Sequence, residues 1–140
     1  SRTEGFGEEI KRSILAGTYI LGSKEGREYY EKAFRVRTLI KEDFDKVFEK
    51  YDVILTPTTP NLPFKIGDSI KNPFEMYGSG IFNIPANLAG LCAISVPCGY
   101  VDGLPVGLQI IGDRFKEANI LKAAYALEEE LALGGENNGL

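Results

Sequence analysis

Four side chains stand out as candidate nucleophiles: Ser13, Ser95 and the thiols of Cys92 and Cys98. A serine or cysteine nucleophile needs a base within hydrogen-bond reach and donors aimed at the developing oxyanion. The chain contains no histidine, and no lysine falls in a run apolar enough to desolvate it into a base. Ser95 sits inside "AISVP", where a small hydroxyl is expected to satisfy itself on neighbouring backbone. "TPTTP", Thr56 to Pro60, sets three hydroxyls at the carboxyl end of an apolar run. That is where α/β proteins place ligands, although a proline-punctuated turn is the plainer reading.

The cysteines are expected to remain free. Six residues of strand at about 3.3 Å each would separate Cys92 from Cys98 by about 20 Å, beyond disulfide reach. Without histidine they also fall short of a tetrahedral metal set, so no metal site and no cofactor are expected in this chain. Gly99, Gly103, Gly107 and Gly112 do not open a helix in the pattern that cradles phosphate and read instead as turns and close backbone approaches.

The composition narrows the function classes. Sixteen basic and 20 acidic residues give a net charge of −4, which argues against a broad phosphate-binding surface. Hydrophobic residues make up 44% and charged residues 26%, as in ordinary globular proteins. Interrupted apolar runs such as "ILAGTYILG" fall short of the roughly 20 residues of a membrane span, so no membrane partner is expected. The polar, acidic stretch Ser1 to Glu9 does not read as a secretory leader, and a cytoplasmic location is expected.

The elements that must position these residues follow from periodicity. Phe6, Ile10, Ile14 and Leu21 fall on one face of a helix. Gly22, Ser23 and Gly26 should break it. A second helix is predicted from about Glu28 to Tyr51, with Ala33, Val36, Ile40, Phe44, Val47 and Tyr51 as its apolar stripe and Glu42 with Lys46 as an exposed ion pair. Val53 to Thr56 reads as a buried strand closed by Pro57 and Pro60. Residues 61–80 read as a surface connection with a helical turn near Pro73 to Tyr77. Ala93 to Val96 and Val106 to Ile111 are predicted as a hairpin turned by Asp102-Gly103 and apolar enough to be covered on both faces. A last helix, Glu117 to Leu133, should bury Ile120, Ala124, Leu127 and Leu131, stop at Gly134 and Gly135, and leave residues 134–140 as a disordered tail. The order is α-α-β-linker-β-β-α, an α/β class with a partial mixed sheet and flanking helices. Three strands are few for these helices, which suggests that the sheet continues in other residues.

The stretches "RTEGFGEEIKRSILAGTY", "VRTLIKEDFDKVFEKYDVILTPTTP", "IPANLAGL" and "ISVPCGYVDGLPVGLQIIG" together resemble the carboxyl-terminal part of the amidase signature family. The likeness runs from about Arg2 to Leu131, and the first two stretches point within that family to the A subunits of glutamyl-tRNA(Gln) or aspartyl-tRNA(Asn) amidotransferases. It implies that residues 1–140 form a single carboxyl-terminal segment of an amidase signature domain. It further implies a site of two serines and a lysine upstream of the region matched here, so that this chain alone should be inactive. The parent would hydrolyse glutamine to supply ammonia for converting Glu-tRNA(Gln) to Gln-tRNA(Gln). Its partners would be the B and C subunits of the amidotransferase, with ATP and Mg used through one of those partners.

Two positions depart from the family pattern. Where the family has a second arginine after a lysine, which grips the glutamine α-carboxylate, this chain has Ser13. Arg12 is one residue away and hence about 100° around the helix, on another face. Where the family has an aspartate for the α-ammonium, "MYGSGIF" places Gly80. The polar "GSKEGREYY" also stands where the family has an aromatic and small-residue stretch. A non-catalytic excised or engineered derivative that folds or self-associates is the alternative these departures leave open.

Overall fold

A computed structural model describes residues 5–66 and 78–132. The chain divides into two compact units, Ser1–Leu39 and Ile40–Leu140.

In the first unit, helix α1 spans Glu8–Gly22, and helix α2, Lys24–Phe48, begins after a single intervening residue. Glu8 and Glu9 sit in the first turn of α1, where carboxylates complement the exposed backbone N–H groups. They also pair with Lys11 at 2.9 Å and Arg12 at 3.2 Å. The predicted break contracts to Ser23 for two reasons. The Ser23 N–H donates to the Tyr19 carbonyl, and its Oγ accepts the Gly26 N–H at 3.0 Å, so one residue ends α1 and caps α2. Gly26 is buried, and a Cβ there would collide with the Ile20 carbonyl oxygen. The glycine that reads as a helix breaker is therefore a close approach inside the turn. No residue of α1 is buried. Its predicted apolar stripe is open, with Ile10 and Ile14 each half exposed.

The second unit takes the end of α2 and then strand β1 (Val53–Pro57), helix α3 (Ile84–Ala89), strands β2 (Cys92–Val101) and β3 (Leu104–Gly112), and helix α4 (Glu117–Leu131). The strands form a sheet of order β1-β3-β2, with both neighbours antiparallel to β3. Among the described residues β1 and β2 are thus its edges. The Asp102-Gly103 turn is as predicted: both residues have positive φ, 52° and 76°, as a two-residue hairpin with right-handed strand twist requires. The hairpin is longer than the apolar runs alone indicated, and an irregularity between Pro97 and Gly99 sets Cys98 as the extra residue of β2.

Paired residues share a face, so the register sorts the sheet. Leu55, Ile110 and Ile94 face one way, together with Leu108, Val96 and Val53. On this side α4 lays Ile120 and Ala124 against Val96 and Ile110, the last 1% exposed. Gly112 makes this approach possible, since a Cβ there would meet Ile120 Cγ2 at 2.6 Å. Leu127 is only partly buried in this cluster, and Leu131 is 36% exposed. The helical stripe outruns the residues it packs on.

Other differences from the sequence reading have similarly local causes. Lys46 bonds Asp43 at 3.1 Å rather than Glu42, because i and i+3 are also neighbours on a helix. Helix α3 falls within what reads as a lead-in to the hairpin. Six residues show too little periodicity to be recognised, but Pro85 fits its first turn and Gly90, with φ 71°, ends it. Both faces are covered over Gln109 to Gly112 of β3, whereas Ala93, Ser95 and Pro97 of β2 are exposed. The turn predicted at Pro73 to Tyr77 and the tail at 134–140 lie outside the described residues.

Candidate functional site

The sheet face opposite α4 carries the polar residues. Register places Thr56 beside Gln109 and Gln109 beside Ser95, so a hydroxyl, an amide and a second hydroxyl run across the three strands. Thr58, just past β1, donates its backbone N–H to the Gly107 carbonyl at 3.0 Å and folds its side chain over that glycine. There its Oγ1 stands 2.6 Å from Ser95 Oγ. A Cβ on Gly107 would lie 2.7 Å from Thr58 Oγ1 and 3.1 Å from Ser95 Oγ, so the meeting requires glycine.

Gln109 is the buried member of the strip, at 5% exposure. Its Nε2 donates to Thr56 Oγ1 at 2.9 Å and to the Phe82 carbonyl at 2.9 Å. The second bond reaches the turn that precedes α3. In that turn the Gly80 carbonyl accepts the N–H groups of Asn83 at 3.0 Å and Ile84 at 2.9 Å. Nearby, Arg114 fastens the end of β3: its guanidinium donates to the Ala89 carbonyl at 3.4 Å and to the Asp45 carboxylate of α2.

This arrangement answers the chemistry posed by the sequence. Ser95 and the threonines of "TPTTP" are brought together, which their distance in sequence conceals. Ser95 is exposed and bonded to a side chain, not a core hydroxyl held by backbone, because this face of β2 is open at its position. Its partner is another hydroxyl, which cannot remove its proton at neutral pH. The strip is a polar bonding surface, and among the described residues no base bonds Ser95 to make it a nucleophile. Cys92 and Cys98 are free and half-buried, with their thiols on the carbonyls of Asp113 and Val106. Among the described residues no three metal-ligating side chains converge, and no helix is long and apolar enough to cross a membrane.

Ser13 lies exposed on α1 in the first unit, and Gly80 lies half-buried in the turn of the second. Gln109 is the residue that sequence reasoning missed. The available signal was a single polar side chain in the otherwise apolar "GLQIIG", which in a strand covered on both faces must have partners.

Residues 1–121 match the Amidase family. The A subunit of the glutamyl-tRNA(Gln) amidotransferase of Geobacillus stearothermophilus is 57% identical over 129 residues, covering 92% of this chain and 27% of that protein. The corresponding A subunit of Listeria welshimeri is 53% identical over 140 residues, covering all of this chain and 29% of its own. Among solved structures, the glutamyl-tRNA(Gln) amidotransferase A subunit of Thermotoga maritima superposes with a TM-score of 0.72 at 46% identity, covering 91% of this chain and 28% of that one. A bacterial aryl acylamidase of the amidase signature family gives 0.70 at 26% identity, covering 91% and 29%. These likenesses bear out the α/β class and the amidase signature fold. The chain spans less than a third of the length of the relatives it matches.

Proposed function

The chain belongs to the amidase family, and from that premise we propose that it is the carboxyl-terminal segment of an amidotransferase A subunit, supporting a glutamine-hydrolysing site without containing its nucleophile. The observation that carries this reading is the 57% identity to such a protein along 92% of the chain, against only 27% of the relative's length. The hydroxyl strip fits a supporting role. Ser95 pairs with Thr58, and Gln109 pairs with Thr56 and with the Phe82 carbonyl, the last bond tying the sheet to the turn before α3.

In this reading the parent releases ammonia from glutamine and passes it to the conversion of Glu-tRNA(Gln) to Gln-tRNA(Gln). Its partners are the B and C subunits of the amidotransferase, with ATP and Mg handled by one of them. Ser13 and Gly80 stand at the two positions that hold glutamine's α-carboxylate and α-ammonium in the proteins it resembles. Replacing a charge-assisted bond at each with a small neutral residue weakens the grip on glutamine. The test is glutamate release from glutamine by the purified 140-residue chain. We expect none above buffer, and release above buffer would contradict the reading.

A second reading, a non-catalytic derivative that associates with itself, is favoured by one observation. Leu15, Tyr19 and Leu21 of α1 are 70%, 69% and 59% exposed, a large apolar surface for one helix. Light scattering tests the association: a dimer or larger assembly is expected, and a strictly monomeric mass at high concentration would contradict it.

A further inference from the structure

We propose that Gln109 is a positioning residue of the turn 78–84, helping to set where the backbone around position 80 stands against the sheet. Its functional weight rests on the reading above that position 80 belongs to the substrate-binding region, while its geometry stands independently. The turn has local bonds, with Ile81, Asn83 and Ile84 donating to the carbonyls of Gly78, Gly80 and Gly80. Such bonds fix its shape but not its height above β3. The bond from Gln109 Nε2 to the Phe82 carbonyl, 2.9 Å long, ties the turn to β3.

Three features suit Gln109 to the task. It lies on β3, the central strand, so its backbone is held on both sides. The residue is 5% exposed, which confines its rotamer and excludes competing water. Its Nε2 uses one hydrogen on Thr56 Oγ1 and the other on the Phe82 carbonyl. Interchanging Nε2 and Oε1 would set two oxygens against each other at Phe82, so the amide has one sense. Apolar or anionic side chains of similar size would fill the space without making the bond.

Amide hydrogen exchange measured by NMR on the 140-residue chain tests this directly. Gln109→Leu removes both donors, and Gln109→Glu keeps the shape but, as a carboxylate, can only accept. Both should speed exchange at Asn83 and Ile84 by about tenfold or more, while α4, on the opposite face of the sheet, changes by less than about twofold. Unchanged exchange at Asn83 and Ile84, or acceleration in step with α4, would overturn the proposal. The unaltered chain gives a second readout should the variants unfold: both Nε2 protons of Gln109 should exchange about tenfold more slowly than those of a free glutamine side chain. Exchange at the free rate would overturn it equally. Neither readout needs turnover, so failure here leaves the supporting-segment reading standing, and failure of that reading leaves the positioning bond intact.

Discussion

Thr58 Oγ1 and Ser95 Oγ meet at 2.6 Å directly over Gly107, whose missing side chain is the space they occupy. Three sequence stretches, the proline turn after β1, the middle of β2 and the glycine of "VGLQ", are thereby locked into one contact. Gly107→Ala should cost about 1–3 kcal/mol by forcing the two hydroxyls apart. Ser95→Ala alone should cost about 0.5–1.5 kcal/mol, because its partner Thr58 can turn to water. The double variant should be less destabilised than the sum, since the second change removes part of the collision. Urea titrations of the four proteins check this; strict additivity would mean the groups do not touch.

Gly112 performs the corresponding service on the opposite face, where a Cβ would meet Ile120 Cγ2 at 2.6 Å. Gly112→Ala is expected to lift α4 and cost about 1–3 kcal/mol. Ile110→Ala, which empties the most buried large side chain among the described residues, should cost about 2–5 kcal/mol. Thermal unfolding followed by circular dichroism should rank both well below the parent chain in midpoint.

Ser23 caps α2 through its Oγ and the Gly26 N–H. Ser23→Ala should lose about 0.5–2 kcal/mol, and Ser23→Asp should retain most of the capping because its carboxylate can accept the same N–H. Exchange rates of the Gly26 and Arg27 amides are the local readout, and equal rates in all three proteins would show that the cap contributes nothing.

In the complete protein that the proposal implies, Ser13→Arg and Gly80→Asp should each lower KM for glutamine. A charge-assisted bond regained at either position corresponds to roughly tenfold or more in affinity. Steady-state kinetics with glutamine checks this, and a KM unmoved by both substitutions would remove these positions from substrate recognition.

Much of the fold was legible because its signals are local. The stripe Ile120, Ala124, Leu127 predicts α4, the apolar runs predict β1 and the hairpin, and Asp102-Gly103 marks its turn. What escaped depends on neighbours distant in sequence. Gly26 reads as a break until the Ile20 carbonyl is seen beside it, and Ser95 reads as buried until its face of β2 is seen to be open. The six-residue α3 is too short to display a period. The candidate site was legible only in pieces. "TPTTP" and Ser95 could each be singled out, but their contact through Thr58 depends on strand order, and Gln109 was concealed among apolar neighbours.

On the proposed reading, these residues support chemistry carried elsewhere in a longer amidase chain. The intact mass of the protein expressed from its native gene tests it most directly. The expected product is several times larger than 15.4 kDa, in keeping with the 27% of the Geobacillus stearothermophilus protein that this chain covers. A native product of 15.4 kDa would contradict it and direct attention to the open apolar face of α1 and the binding it could serve.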